Sequence, residues 1–288
     1  MYKRTLLLIN DMSGTSNKID TDMVKNALKL RSIDEVHLTN IEQDYNVKGY
    51  DEIIVYGGDG TICNAVNKCK NLPVRMYCFP CGTLNEKAKT SLKNESQTKK
   101  IKKLGACNGE LFSYVLASGT FTEIGYVAKT KTKKKLKKLA YLLEVIKAYK
   151  VRNINAKIEC EKGVFDGKFS LIMVLDSDRC FGFRFNRLYQ DNDDFLYLLT
   201  IKSTFKDGII GRIKIFFPFF RAFFVGFNKE FQSKNINFFK INSAKITLKN
   251  KYDFCIDGEK RTFDGVLYVN KVSLKPELYV MKNDLLNS

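Results

Sequence analysis

The sequence predicts an α/β region built on an open, largely parallel sheet, followed by a β-rich, sandwich-like region. Three observations carry that reading. Apolar runs alternate with helically spaced segments through the first hundred residues. Polar turns rich in Gly, Asp and Asn close three of those runs, and from residue 155 onward short alternating segments replace helices.

The elements follow in order. Thr5–Ile9 is a short apolar run, read as a first strand, which ends in the polar turn Asn10-Asp11-Met12-Ser13-Gly14-Thr15. Met23, Ala27 and Leu30 lie at helical spacing, and Glu35–Leu38 is a short strand. Asp51-Glu52 leads into Ile53–Tyr56, a buried-strand run that stops at Gly57-Gly58-Asp59-Gly60-Thr61. Ile62–Cys69 returns to helical spacing, and Val74–Phe79 is a strand closed by Pro80-Cys81-Gly82-Thr83. In an open parallel sheet ligands bind at the carboxyl ends of strands, where all three polar turns fall. A Lys-rich helix is expected around 96–104, a strand at Leu111–Ala117 and a basic amphipathic helix over 127–150. Short strands are expected at Lys157–Cys160, Leu171–Leu175, Phe195–Ile201, Ala244–Leu248, Tyr252–Ile256 and Val266–Val269. The change of texture places a domain boundary near 105–110.

At 288 residues the chain is long enough for two domains, and 44% hydrophobic with 28% charged residues excludes a disordered chain. No run approaches 18 uncharged apolar residues, so no membrane span is expected, and the first apolar run is too short for a signal peptide. A cytoplasmic location follows as an expectation. The net charge of +18 suits nucleic acid or an anionic membrane surface, although only 10 of the 49 basic residues are Arg, a bias that Lys and Asn codons also produce. Cys78 and Cys81 form a C-x-x-C without a second pair, so the eight cysteines are expected to be reduced and to pack as small hydrophobes. His37 is the lone histidine, so catalysis here would run on carboxylates.

Gly57-Gly58-Asp59-Gly60-Thr61 is the most informative segment. Glycines directly after a buried strand let the backbone approach a phosphate closely, and Asp59 could hold a divalent cation. A tight strand-to-helix turn would also accommodate Gly-Asp-Gly. Neither a P-loop nor a dinucleotide-fold glycine pattern is present. The segment lies in a series with Asn10-Asp11-Met12-Ser13-Gly14 before it, Pro80-Cys81-Gly82-Thr83-Leu84-Asn85-Glu86 after it, and Ile256-Asp257-Gly258-Glu259 near the C-terminus. These four ordered motifs resemble the diacylglycerol kinase catalytic-domain family, which includes soluble bacterial lipid kinases and is related to sphingosine kinases.

The resemblance implies a Rossmann-like nucleotide-binding domain over 1–106 and a β-rich lipid-substrate domain over 107–288, whose last strands can return to the first domain. It implies an ATP-dependent lipid kinase that transfers the γ-phosphate to the hydroxyl of diacylglycerol or a related lipid. Asn10, Ser13, Gly14 and Thr39 match nucleotide contacts, Gly58, Asp59, Gly60 and Thr61 the phosphate-binding loop, and Thr83 the threonine of the next loop. Asp59 and Glu259 match catalytic positions, with Glu259 as the general base, although Asp-Gly before it also reads as a plain hairpin turn. ATP and Mg2+ are the implied cofactors. A structural magnesium is implied on Asp193 through its side chain and on Gln190 and Phe195 through their carbonyls.

The sequence also departs from the family pattern. Cys63-Asn64 stands where the family has Asn-Glu, Asn85-Glu86-Lys87-Ala88 where it has Asn-Asp-Phe-Ala, and Asp194 where it has glycine. An NAD kinase, which shares Gly-Gly-Asp-Gly-Thr, and a weakened kinase-fold protein binding membrane or nucleic acid stay open as alternatives. The expected partner is the lipid substrate at an anionic membrane surface on the inner face of the membrane; no nucleic acid is expected, and a homodimer stays open. Nine lysines in 129–150 and seven phenylalanines in 213–227 are the segments to connect with that surface, with a solvated helix face and ordinary core packing as the alternatives.

Overall fold

The computed structural model describes residues 3–10, 20–30, 32–39, 44–82, 84–92, 97–120, 153–203 and 217–286. The chain divides into two compact units: residues 1–104, 191–193 and 272–288 form the first, and residues 105–190 and 194–271 the second. The N-terminal part contributes β1 (Thr5–Asn10), α1 (Thr21–Leu28), β2 (Glu35–Thr39), β3 (Glu52–Gly57), α2 (Asp59–Cys69), β4 (Arg75–Pro80), α3 (Glu86–Ser91) and β5 (Thr98–Cys107). There follow β6 (Glu110–Phe112), β7 (Val115–Gly119), β8 (Ile154–Cys160), β9 (Gly163–Leu175), β10 (Arg179–Cys180), β11 (Phe183–Arg184) and β12 (Leu196–Lys202). The C-terminal part contributes β13 (Phe231–Gln232), β14 (Ile236–Ile241), β15 (Ser243–Leu248), β16 (Tyr252–Ile256), β17 (Glu259–Phe263) and β18 (Val266–Met281).

The first unit holds a parallel sheet in the order β2-β1-β3-β4-β18, with residues 277–280 of β18 completing it. β1 and β3 are buried along their whole length. That burial explains why both read as uninterrupted apolar runs, since a parallel strand covered on both faces has no polar side to alternate with. Leu7, Ile9, Ile54, Tyr56 and Phe79 pack with Val24 of α1 and with Leu286. Asp20 caps α1 through the N–H of Asp22 at 3.1 Å, and Lys29 closes it in the left-handed conformation.

The second unit is antiparallel, in the order β13-β14-β12-β9-β8-β15-β18, with β7 pairing β9 and the β16–β17 hairpin pairing β7. From Phe169 onward β9 is buried on both faces, and so is β12 through Ile201. Ile172, Val174, Leu196 and Leu198 enter one apolar cluster, while Leu171, Met173, Leu175, Tyr197, Leu199 and Ile201 enter another. Period-2 alternation thus divides one apolar run between two cores.

Residues 98–107, expected to be helical at their start, form strand β5. The spacing of Ile101 and Leu104 imitates a helix face, whereas the backbone of Gly105–Cys107 pairs antiparallel with β6. The Leu111–Ala117 strand is broken at Ser113-Tyr114 into β6 and β7. Of the Phe-rich segment, Phe219, Phe223 and Phe227 are buried in the second unit, while Phe217 is exposed. The basic segment 127–150 lies outside the described residues. All eight cysteines are free, and burial pushes the Cys69 and Cys107 thiols up to about 12, so they stay protonated.

Candidate active site

The chain leaves β1 for β2 on one side of the sheet and returns to β3 on the other. Such a reversal opens a crevice at the carboxyl ends of β1 and β3, which is where open parallel sheets take their ligands. Asn10 is the last residue of β1, and its Nδ2 donates to Thr61 Oγ1 at 2.6 Å across that reversal. Both side chains are buried. Thr39 ends β2 in register with Asn10, so its backbone reaches the same end of the sheet.

The Gly-rich segment is tighter than a loop. Gly57 is the last residue of β3, Gly58 is the extended N-cap, and Asp59 already begins α2. Gly58 has no side chain to cap the helix, so α2 presents the N–H groups of residues 59–61 along its axis toward the strand ends. A Cβ at Gly57 would lie 2.6 Å from Thr61 Cβ, so only glycine allows the chain to turn directly from strand to helix.

The third motif is attached to the second through backbone. The N–H of Cys81 donates to the carbonyl of Gly57 at 2.9 Å. A Cβ on Gly82 would lie 2.7 Å from the Cα of Gly58. Asp59 extends its carboxylate to the start of α3, accepting from the Glu86 N–H at 3.0 Å and the Lys87 N–H at 3.4 Å. Its observed contacts are therefore those of a helix cap that orders the third motif, with Asn85 in the left-handed conformation just before α3. Asn10, Gly58, Asp59, Thr61, Gly82 and Asn85 come together as one constellation. Ser13, Gly14 and Thr83 lie outside the described residues.

Glu259 belongs to the second unit, where it opens β17 opposite Ile256. Asp257 and Gly258 make the intervening two-residue turn with φ of 48° and 90°, the left-handed pair that a tight hairpin requires. The hairpin reading of Asp-Gly is therefore correct, but the aspartate does more than turn the chain. Its carboxylate is buried and accepts the N–H groups of Ser113, of Tyr114 at 2.9 Å and of Val115 at 3.0 Å. Its own N–H returns to the Val115 carbonyl at 3.1 Å. Burial pushes the Asp257 carboxyl above its ordinary value, and the three N–H donors pull against that rise. The break at Ser113-Tyr114 is where the backbone turns its donors to Asp257, so Glu259 stands on an anchored turn. Asp257 and Gly82 stand within two of the four motifs, yet sequence reasoning assigns neither a role of its own; Gly82 has its signal in the Pro-Cys-Gly-Thr turn and Asp257 in the Asp-Gly-Glu motif.

The residues named for the implied structural magnesium are divided between the two units. Gln190 and Phe195 belong to the second unit and Asp193 to the first. Among the described residues no three His, Cys, Asp or Glu side chains converge as metal ligands. The Phe195 carbonyl accepts from the Lys271 ammonium at 3.3 Å, so a cation already lies against that oxygen.

Comparisons with known proteins bear on the fold and the family. Residues 4–111 match the model of the diacylglycerol kinase catalytic domain. A diacylglycerol kinase of Bacillus subtilis (strain 168) is 26% identical, over 84% of this chain and 81% of that protein. A crystal structure of a diacylglycerol kinase from Bacillus anthracis str. Sterne superposes with a TM-score of 0.62 at 17% identity, covering 99% of this chain and 98% of that one. An NAD kinase from Archaeoglobus fulgidus, solved in complex with ATP, gives a TM-score of 0.50 at 14% identity, over 98% and 95% of the two chains. These likenesses show an α/β N-terminal part with a β-rich C-terminal part.

Proposed function

We propose that this chain, whose residues 4–111 match the model of the diacylglycerol kinase catalytic domain, transfers the γ-phosphate of ATP to the hydroxyl of diacylglycerol or a related lipid. The kinase class is supported by that match and by the diacylglycerol kinase relatives. What supports the use of a nucleotide is the meeting of Asn10, Gly58, Thr61 and Gly82 at the carboxyl ends of β1, β3 and β4.

Phosphoryl transfer asks for positioning and for donors aimed at developing charge. In this reading the N–H groups of residues 59–61 hold phosphate oxygens against the N-terminus of α2. Asn10 and Thr39 serve the nucleotide at the ends of β1 and β2, with Ser13, Gly14 and Thr83 in the adjoining turns. Asp59 keeps α3 and the third motif in register. Mg2+ arrives with ATP as part of the substrate. Glu259 accepts the proton of the lipid hydroxyl as the new P–O bond forms, the task for which a positioned carboxylate is suited. Among the described residues no helix is long and apolar enough to cross a membrane. The lipid is therefore read as being met at an anionic surface, the inner face of the membrane, with the lysines of 129–150 supplying attraction.

The test is a product assay. Incubation with Mg-ATP and, separately, diacylglycerol in mixed micelles, a sphingoid base or NAD should yield a phosphorylated lipid and no NADP. NADP as sole product would replace this reading with the NAD kinase alternative. No product from any acceptor would overturn catalysis and leave a binding protein.

A further inference from the structure

We infer that Asn283, outside all four motifs, is a positioning residue for the third one: its side chain holds the end of β4 from which that motif starts. The inference rests on the nucleotide reading proposed above. All the observations lie in the first unit. β18 pairs parallel with β4 as far as Val280 opposite Cys78. In that pairing the Glu277 N–H donates to the Val74 carbonyl at 2.9 Å. The two-residue step of a parallel ladder then brings residue 283 to the Pro80 carbonyl. By that point the backbone has left the sheet. β18 ends at Met281, the Lys282 N–H donates to the Gln97 carbonyl at 2.9 Å, and Asn283–Leu286 form a single 3₁₀ turn. Asn283 Nδ2 nevertheless donates to the Pro80 carbonyl at 2.8 Å. A side-chain amide thus fills the ladder position that the strand has vacated.

Pro80 is opposite Gly57 in the register of β3 and β4, and Cys81 and Gly82 follow it directly. A displacement at Pro80 is therefore carried to the close contact between Gly82 and the Gly58 backbone. The turn that bears Asn283 is itself fixed, because Leu286 is buried with Val24 of α1 in the core of this unit. The Pro80 carbonyl also accepts from Asn85 Nδ2 at 3.3 Å. The oxygen ends of both carboxamides are buried and have no hydrogen-bond partner among the described residues, so each amide is turned donor-first toward Pro80. With Asn85 present, loss of Asn283 does not strand a buried carbonyl. What it removes is the second direction of hold, which makes its effect one of placement more than of stability.

The experiment takes two readings on the full chain. Without nucleotide, hydrogen exchange followed by mass spectrometry should be faster in Asn283→Ala for the peptide spanning Cys81 and Gly82, and unchanged for β1. With nucleotide, calorimetric titration of Mg-ATP should show affinity lowered roughly 3- to 10-fold, the worth of one hydrogen bond. The KM for ATP should rise by the same factor with kcat unchanged, and the melting temperature should stay within about 3 °C of that of the unmodified chain. Asn283→Asp, nearly isosteric but without the donor, should behave alike, and it replaces the alanine variant if that one does not fold. Unchanged exchange at Cys81 and Gly82 together with unchanged Mg-ATP affinity would overturn the inference, whatever happens to the melting temperature. If the unmodified chain binds no Mg-ATP, the nucleotide reading fails instead, and the exchange measurement alone decides whether Asn283 holds the third motif.

Discussion

In the first unit, Asn10, Gly58, Thr61 and Gly82 meet because glycines let two backbones touch at the ends of parallel strands. In the second unit, Glu259 stands on a hairpin whose turn is fixed by a buried carboxylate to backbone 142–144 residues away. One arrangement depends on missing side chains, the other on a single present one. The first therefore leaves three ordered motifs in the sequence, while the second leaves one short Asp-Gly-Glu motif and no local trace of the backbone that anchors it. The two also fail differently: adding an atom damages the first, and removing an acceptor damages the second.

The largest effect is expected from Asp257→Ala. Three buried N–H groups lose their acceptor, for a loss of about 3 kcal/mol or more in stability, together with the placement of Glu259. Urea denaturation reads the first effect and turnover the second; Asp257→Asn, which keeps one acceptor oxygen, should fall between. A loss below that of an ordinary surface substitution would break the contrast between the units. Next comes Gly82→Ala, whose new Cβ meets the Gly58 backbone at 2.7 Å. Overpacking of this kind costs roughly 1–3 kcal/mol, and because neither partner can rotate away, nucleotide affinity should fall as well, measured by calorimetric titration.

Asp59→Ala removes the cap on α3 and should cost about 1 kcal/mol while weakening nucleotide binding through the displaced third motif. An Asp59→Ala chain that keeps its stability and loses turnover alone would assign Asp59 to chemistry instead of positioning. The smallest effect concerns pH. Glu277, on the part of β18 that pairs with β4, is held below its ordinary value of 4.5 by its hydrogen bond to Lys100 and then by that to Arg75. A carboxyl lowered in the folded state stabilises the fold above its unfolded value, and that contribution disappears as pH falls through the folded one. Glu277→Gln should therefore flatten the acid limb of the melting profile below about pH 4.5, and added salt should shrink the difference because the group is half exposed.

Much of the first unit is legible because its chemistry is local. Apolar runs closed by polar turns place β1, β3 and β4, and helical spacing places α1 and α2. The reading fails where side-chain spacing and backbone pairing disagree. Ile101 and Leu104 lie at the spacing of a helix face, yet their segment is β5. β18 is readable only at Val266–Val269, because Lys271, Lys275 and Pro276 interrupt the apolar pattern while the strand continues to Met281. Of the site, the motif residues are readable, and Gly58 is a helix cap instead of a loop residue. Asp257 is not readable as an anchor, since its partners at Ser113–Val115 are distant in sequence.

The proposed division of labour puts proton removal on a carboxylate of the anchored hairpin and the nucleotide on the first unit. Steady-state phosphorylation of diacylglycerol by Glu259→Gln separates the two tasks. The expected result is a kcat lowered roughly 10²–10⁴-fold with the KM for ATP close to that of the unmodified chain. Full turnover in Glu259→Gln would contradict it.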